Sequence, residues 1–198
     1  IELIAANAYR MPFKEDSFDG GLMVRVLHHI LEPGVYYKEL RRIMHNGSTY
    51  VQEFANKRNL KASLRAITHL NFKYFSNKPY QQPTAKNFEG TKQGEEAIFL
   101  TYDPNHVKQL LTSQRFEIIN KYGCSYLRSA SLKKILGDEK MINTEKVLQK
   151  LLKTTNIPPS VIYETKLSGD YTQKNPQTLQ EILVCPKCNG SLKFKENS

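Results

Sequence analysis

Apolar and polar positions along this chain recur at two periods, one of strands and one of helices. The largely apolar opening, Ile1 to Ala6, predicts a short buried strand, and 7–16 with Pro12 a loop. Phe18 to Val24 predicts a second strand, weakened by Gly20 and Gly21. Over 33–45 the period becomes helical. Pro33 suits a first turn, Tyr36, Leu40 and Ile43 share a face, and Lys38, Glu39, Arg41 and Arg42 point away. Asn46-Gly47 stops that helix, and Thr49 to Phe54 follows as a strand.

Further on, 58–70 predicts a helix with Leu60, Leu64 and Ile67 on one side and Arg58, Lys61 and Arg65 roughly opposite. Residues 71–94 mix aromatics, lysines, Pro79, Pro83 and Gly90 and predict irregular structure. Asp103-Pro104 marks a helix start, with Val107, Leu110 and Leu111 as its apolar stripe. A strand over Phe116 to Tyr126, helices near 130–137 and 144–155, and a last strand over Val161 to Leu167 complete the series. Polar residues 168–180, with Gly169 and Pro176, predict a linker to a short tail, 181–198. Alternating strands and helices with short joints imply an α/β class with a mostly parallel sheet, whose ligands bind beyond the carboxyl ends of the strands.

Composition narrows the classes. At 198 residues and 39% hydrophobic, the chain can bury one compact core plus a small appendage. No apolar run approaches the roughly 18 residues a membrane span needs, so no membrane partner is expected. The formal charge of +10 suits a polyanion such as RNA, and equally an ordinary solvated lysine-rich surface. Three cysteines, an odd and sparse count, argue against a disulfide framework and for a reducing, cytoplasmic setting.

The stretch from Asn7 to Pro33 carries the chemistry. It contains Asn7-Ala8, Met11-Pro12-Phe13, Asp16-Ser17-Phe18-Asp19 and Val26-Leu27-His28-His29 in that order. This resembles the middle of class I methyltransferases that use S-adenosylmethionine. The helix at 33–45 and the strand at 49–54 match that family in order and length. The resemblance runs over about 1–167 by element order, with strong motif identity only over 1–54.

The resemblance implies an incomplete Rossmann-like methyltransferase sheet flanked by helices, with the first two strands missing. The family's glycine-rich turn and its ribose-binding acid precede the residue that matches Ile1, and none of the ten glycines here forms a G-x-G pattern. The expectation is therefore a C-terminal portion of a longer methyltransferase that alone binds cofactor poorly or not at all. It comprises a partial methyltransferase domain, 1–167, with variable lids near 55–100 and 125–157.

The family's sites carry over by position. Asn7 and Ala8 match a strand-end pair that meets adenine. The family usually has Asp at the first place, and Asn keeps a carbonyl acceptor at a cost of about 1 kcal/mol. Asn7 is equally a common turn residue. Val24 and Arg25 match the place where the chain meets the methionine part of the cofactor, although Val24 could serve the core alone. Arg25 buried without a partner would be costly. Adjacent His28 and His29 make a poor chelating pair on a helix, and His29 is expected near the cofactor. Glu53, ending a strand, is expected to pair with Lys57 or Arg58. Catalytic residues are not legible, because methyl transfer from a sulfonium depends more on alignment than on acid–base groups.

The tail LQEILVCPKCNGSLKF resembles the opening of small zinc-ribbon domains. Cys185-Pro-Lys-Cys188 presents two thiolates at a knuckle spacing; zinc takes four ligands, so the intact protein would need others. Cys124 is expected as a core thiol. The methyl acceptor is left open between RNA and a small molecule. The competing reading is a non-enzymatic RNA-binding or scaffold module built on the basic surface and the knuckle.

Overall fold

The computed structural model describes residues 2–81, 99–127, 130–153, 155–170 and 177–193, with only the backbone considered over 130–136. In chain order its elements are β1 (Phe18–Met23), α1 (Pro33–Ile43), β2 (Met44–Ala55), α2 (Leu60–Thr68), β3 (Tyr80–Gln81), β4 (Leu100–Thr101), α3 (Pro104–Ser113), β5 (Phe116–Cys124), α4 (Ala130–Leu151), β6 (Ser160–Leu167) and α5 (Leu179–Ile182). Short 3-10 turns stand at Leu27–His29 and Phe72–Phe75.

The expected α/β class holds: a four-stranded sheet in the order β1-β2-β6-β5 is flanked by helices. Its direction needs correcting, since only β1 and β2 run parallel and β6 is antiparallel to both β2 and β5. Periodicity reports which residues are apolar on each strand but not which strands become neighbours; β6, last in sequence, inserts between β2 and β5. The opening strand is also corrected: residues 2–6 are irregular and exposed. A short apolar run forms a strand only when another strand supplies its hydrogen bonds, and none of the described strands lies beside it.

Gly47 does not cap the helix. Helix α1 ends at Ile43 and β2 begins at once, so Gly47, at φ 80°, falls inside the strand. There the pairing with β1 jumps from Phe18–Met44 to Gly20–Thr49, so five residues' advance on β2 answers two on β1. A bulge of this kind needs a residue that accepts a left-handed backbone. Gly20 is favoured for a different reason, because a Cβ there would stand a tight 3.2 Å from the Thr49 carbonyl oxygen.

The core lies between the sheet and α1 and α3, and is rich in tyrosine: Tyr37, Tyr50, Tyr102, Phe54 and Phe116 are all at most 1% exposed. Their hydroxyls are satisfied inside. Tyr37 and Tyr50 both donate to Gln52 Oε1 at 3.0 Å, Tyr36 and Tyr50 lie 3.1 Å apart, and Tyr102 donates to the Ile30 carbonyl. As expected, Asp103 caps α3, accepting from Asn105 N at 2.9 Å. The two helices expected near 130–137 and 144–155 are both present within the span of α4, parted at Gly137, whose φ 74° and ψ 165° are not helical.

A candidate cofactor site at the strand ends

The chain leaves β1 at Met23 through Val24 and Arg25. Arg25 adopts φ 56°, a left-handed conformation that a residue with a side chain takes at a cost. Its guanidinium reaches back to Glu53, at the end of β2, with Nε 3.7 Å from Oε2. The expected pairing of Glu53 with Lys57 or Arg58 is therefore corrected. Those two cations turn elsewhere, Arg58 to Asp103 and Lys57 to the carbonyls of Ser76 and Lys78. With Arg25 69% exposed, the Arg25–Glu53 pair adds little stability. Its consequence is positional: it spans the carboxyl ends of two parallel strands. Val24 and Val26 beside it are exposed, so Val24 is not a core residue.

Next comes the 3-10 turn Leu27–His29. Leu27 and His28 are buried and His29 is exposed. The His28 ring stacks on Phe99 with centroids 4.3 Å apart. Burial, assisted by His29, pushes the His28 pKa down to about 4. Between pH 6.5 and about 4 the unfolded chain accepts a proton that folded His28 refuses, so stability should fall as the pH drops through this window. Urea titrations at pH 7 and pH 5 check this: His28→Phe should lessen the loss, and an unchanged loss would refute the assignment. The two histidine rings lie 4.0 Å apart. No group of three or more His, Cys, Asp or Glu side chains among the described residues could hold a metal.

Asn7 and Ala8 lie on a tight turn. Asn7 is exposed, and its Oδ1 accepts from Tyr9 N at 2.8 Å, the turn-forming role; a second lone pair remains for another donor. Ala8 is half-buried against the core. The Tyr9 hydroxyl accepts from the N–H groups of Leu31 and Glu32 at 3.0 and 3.2 Å, fastening this turn to the segment that follows β1. Sequence reasoning missed Tyr9, since a lone tyrosine in a polar loop carries no periodic signal.

It also misread Glu39 and Arg42, expected to face away. Both are largely shielded, pair at 2.6 Å and hold the Met11-Pro12-Phe13 turn: Glu39 accepts from Met11 N at 2.8 Å, while Arg42 donates to the carbonyls of Phe13 and Met11 at 2.7 and 3.0 Å. Burial opposes the Glu39 carboxylate, but hydrogen bonds from Arg42 and Met11 outweigh it and hold its pKa below the ordinary value. Their spacing of three residues on one helix was the available signal.

The tail lies against the same turn. Val184 N donates to the Pro12 carbonyl at 3.0 Å, Lys14 N to that of Ile182 at 2.8 Å, and Arg10 to that of Lys187. Cys185 N donates to Gly190 O at 2.9 Å and Asn189 N to Cys185 O at 2.8 Å, closing a tight loop around the cysteine pair. Backbone N–H groups of Cys188 and Lys187 lower the Cys185 pKa. Cys124 is half-buried in β5, and burial raises its pKa. Parts of the expected lid 55–100 and linker 168–180, namely 82–98 and 171–176, lie outside the described residues, as do 194–198 of the tail. No described helix is long and apolar enough to cross a membrane.

Residues 1–51 match the family described as a methyltransferase domain. No curated protein matches the chain by sequence. Among solved structures, the fold is similar to that of an S-adenosylmethionine-dependent methyltransferase from Methanosarcina mazei. Identity is 16% and the TM-score 0.51, over 83% of this chain and 66% of that one. A Listeria monocytogenes protein named for the same activity is similar at 11% identity and a TM-score of 0.52, over 83% of this chain and 68% of that one. The chain thus spans about two thirds of the length of these two structures. Residues 1–51 match the sequence pattern of a methyltransferase domain, and the described residues have an α/β fold similar to that of these two solved structures.

Proposed function

We propose that this chain is the adenine-side and sheet-closing portion of an S-adenosylmethionine-dependent methyltransferase. The observation that carries this is the turn 7–10, tied by Tyr9 to the segment after β1, inside the stretch that matches a methyltransferase domain. On this reading Asn7 Oδ1 and the Ala8 N–H meet the adenine edge, while Val24, Arg25 and His29 flank the methionine portion. When bound, the cofactor supplies a sulfonium methyl group for a one-step displacement. The residues here would orient it.

The remaining strands of the site would pair with β1. Among the described residues β1 has β2 as its one neighbour, carries no charge beyond Asp19, and leaves Leu22 74% exposed. An open edge with a single charge near its start is normally covered by another strand. No described contact separates the two acceptor classes: Arg58 is drawn into contact with Asp103, while Lys61 and Arg65 remain exposed. Zinc does not fit this chain alone: Cys185 and Cys188 are two ligands of the usual four, and no described side chain adds to them. A zinc role would require ligands from elsewhere in the intact protein.

Binding of labelled S-adenosylmethionine tests the proposal. The parent protein should bind it and this chain alone far more weakly, with Asn7→Ala weakening the parent about fivefold, the value of one hydrogen bond of roughly 1 kcal/mol. Absence of binding by the parent at millimolar cofactor would end the reading.

A further inference from the structure

The apolar stripe of α2 is not core. Leu60, Leu64 and Ile67, which share one side of the helix, are 52%, 54% and 50% exposed, while the small Ala66 faces inward and is buried. Just past the helix end Leu70 and Phe72 are also exposed, at 74% and 67%. Five exposed large apolar side chains in thirteen residues are a concentration that soluble surfaces usually avoid unless something binds there.

Charge narrows the partner. From Phe54 to Gln81 the sequence has no Asp or Glu, although the whole chain contains 19. The same stretch carries six Lys and Arg, of which Lys61, Arg65, Lys73 and Lys78 are exposed and join none of the ion pairs among the described residues. At 100° per residue, Lys61 and Arg65 lie roughly 90° and 130° round from the middle of the Leu60–Leu64–Ile67 stripe, on one flank of it and not opposite as expected. Aliphatic side chains projecting into solvent, edged by cations with no acid among them, match the requirements of an interfacial helix. Its apolar face enters the boundary between headgroups and acyl chains, and its cations meet anionic phosphates. RNA would use the cations but leave five aliphatic and aromatic side chains in water. A second copy would bring two like-charged faces together.

We propose that α2 and the turn after it, Leu60 to Phe72, form a docking surface for an anionic lipid bilayer. The contact is peripheral and compatible with the lack of a spanning helix among the described residues. Helix α2 starts five residues beyond the end of β2, at the end of the sheet where doubly wound folds bind ligands. Docking there would bring the candidate site to the membrane surface, but it does not depend on methyl transfer.

The test is flotation of the whole chain with vesicles of phosphatidylcholine alone or with 30% phosphatidylglycerol, in about 0.15 M salt. The chain should float with the anionic vesicles and stay behind with the neutral ones. Leu64→Glu with Ile67→Glu should lower partitioning at least about tenfold, because each side chain stops being buried in the boundary. Lys61→Gln or Arg65→Gln should lower it about fivefold each. Both positions are solvent-exposed, so thermal unfolding should be unchanged and loss of binding would not reflect loss of fold. Failure to float with anionic vesicles, or equal flotation of the Leu64→Glu/Ile67→Glu variant, overturns the proposal. So does a dimer in light scattering that the same variant dissolves, or RNA binding sensitive to Lys61→Gln but not to Leu64→Glu in a protein that ignores vesicles.

Discussion

Replacing Asp103 with alanine should cost about 3 kcal/mol of folding stability, the largest single effect outside the aromatic core. The Asp103 carboxylate is 1% exposed and has two roles. One oxygen accepts from Asn105 N at 2.9 Å, capping α3; the other accepts from Arg58 Nε at 2.5 Å. Loss of the cap alone is worth about 1 kcal/mol. The rest arises because Arg58, held over the Phe75 ring at 5.4 Å and donating to the Phe75 carbonyl at 2.6 Å, would keep its charge in a quarter-exposed place without an anion. Asp103→Asn keeps the cap and should recover about 1 kcal/mol. Urea unfolding reads the effect as a midpoint shift at constant slope. If Arg58→Ala costs as much in the Asp103→Ala protein as in the parent chain, the two residues are not coupled and this account is wrong.

The second large effect is expected at Gln52, fully buried between Tyr37 and Tyr50. Gln52→Ala should cost about 3 kcal/mol: two hydroxyls lose their shared acceptor and a cavity opens. Gln52→Leu refills most of the space but not the hydrogen bonds, so it should cost about half as much. Burial raises the pKa of Tyr37 and of Tyr50, so neither hydroxyl can escape its loss of partner by ionising at neutral pH. Tyr50 keeps its bond to Tyr36 in Gln52→Leu, so adding Tyr37→Phe alone removes the orphaned donor and should restore stability. A double variant weaker than Gln52→Leu would show instead that packing of the rings governs this layer.

The residues of the candidate site could be read together because they lie in one continuous run. Asn7 to His29 brings two turns and a strand within 23 residues, and a local pattern survives folding almost unaltered. The ties that secure the run were not legible. Tyr9 reaches residues 22 and 23 positions away, and Arg42 reaches back 29 and 31. Their partners are backbone atoms, which every residue possesses, so no side-chain pattern announces them. Glu53 shows the same limit: its neighbours Lys57 and Arg58 were the obvious cations by spacing, yet β2 and the loop after it send them elsewhere.

The Asp103 cap, the α/β class, the main helices and strands and the methyltransferase-like pattern over 1–51 could be read from the chain alone, since each depends on near neighbours, whereas the opening strand and the short β3 and β4 could not. Tertiary structure alone decided that β6 enters antiparallel between β2 and β5, that Gly47 serves a bulge instead of a helix end, that the tail rests on the Pro12 turn, and that the apolar side of α2 is left outside. The physical reason is common to all four. Periodicity states that a face is apolar, whereas strand pairing and packing across long sequence separations decide what, if anything, covers it.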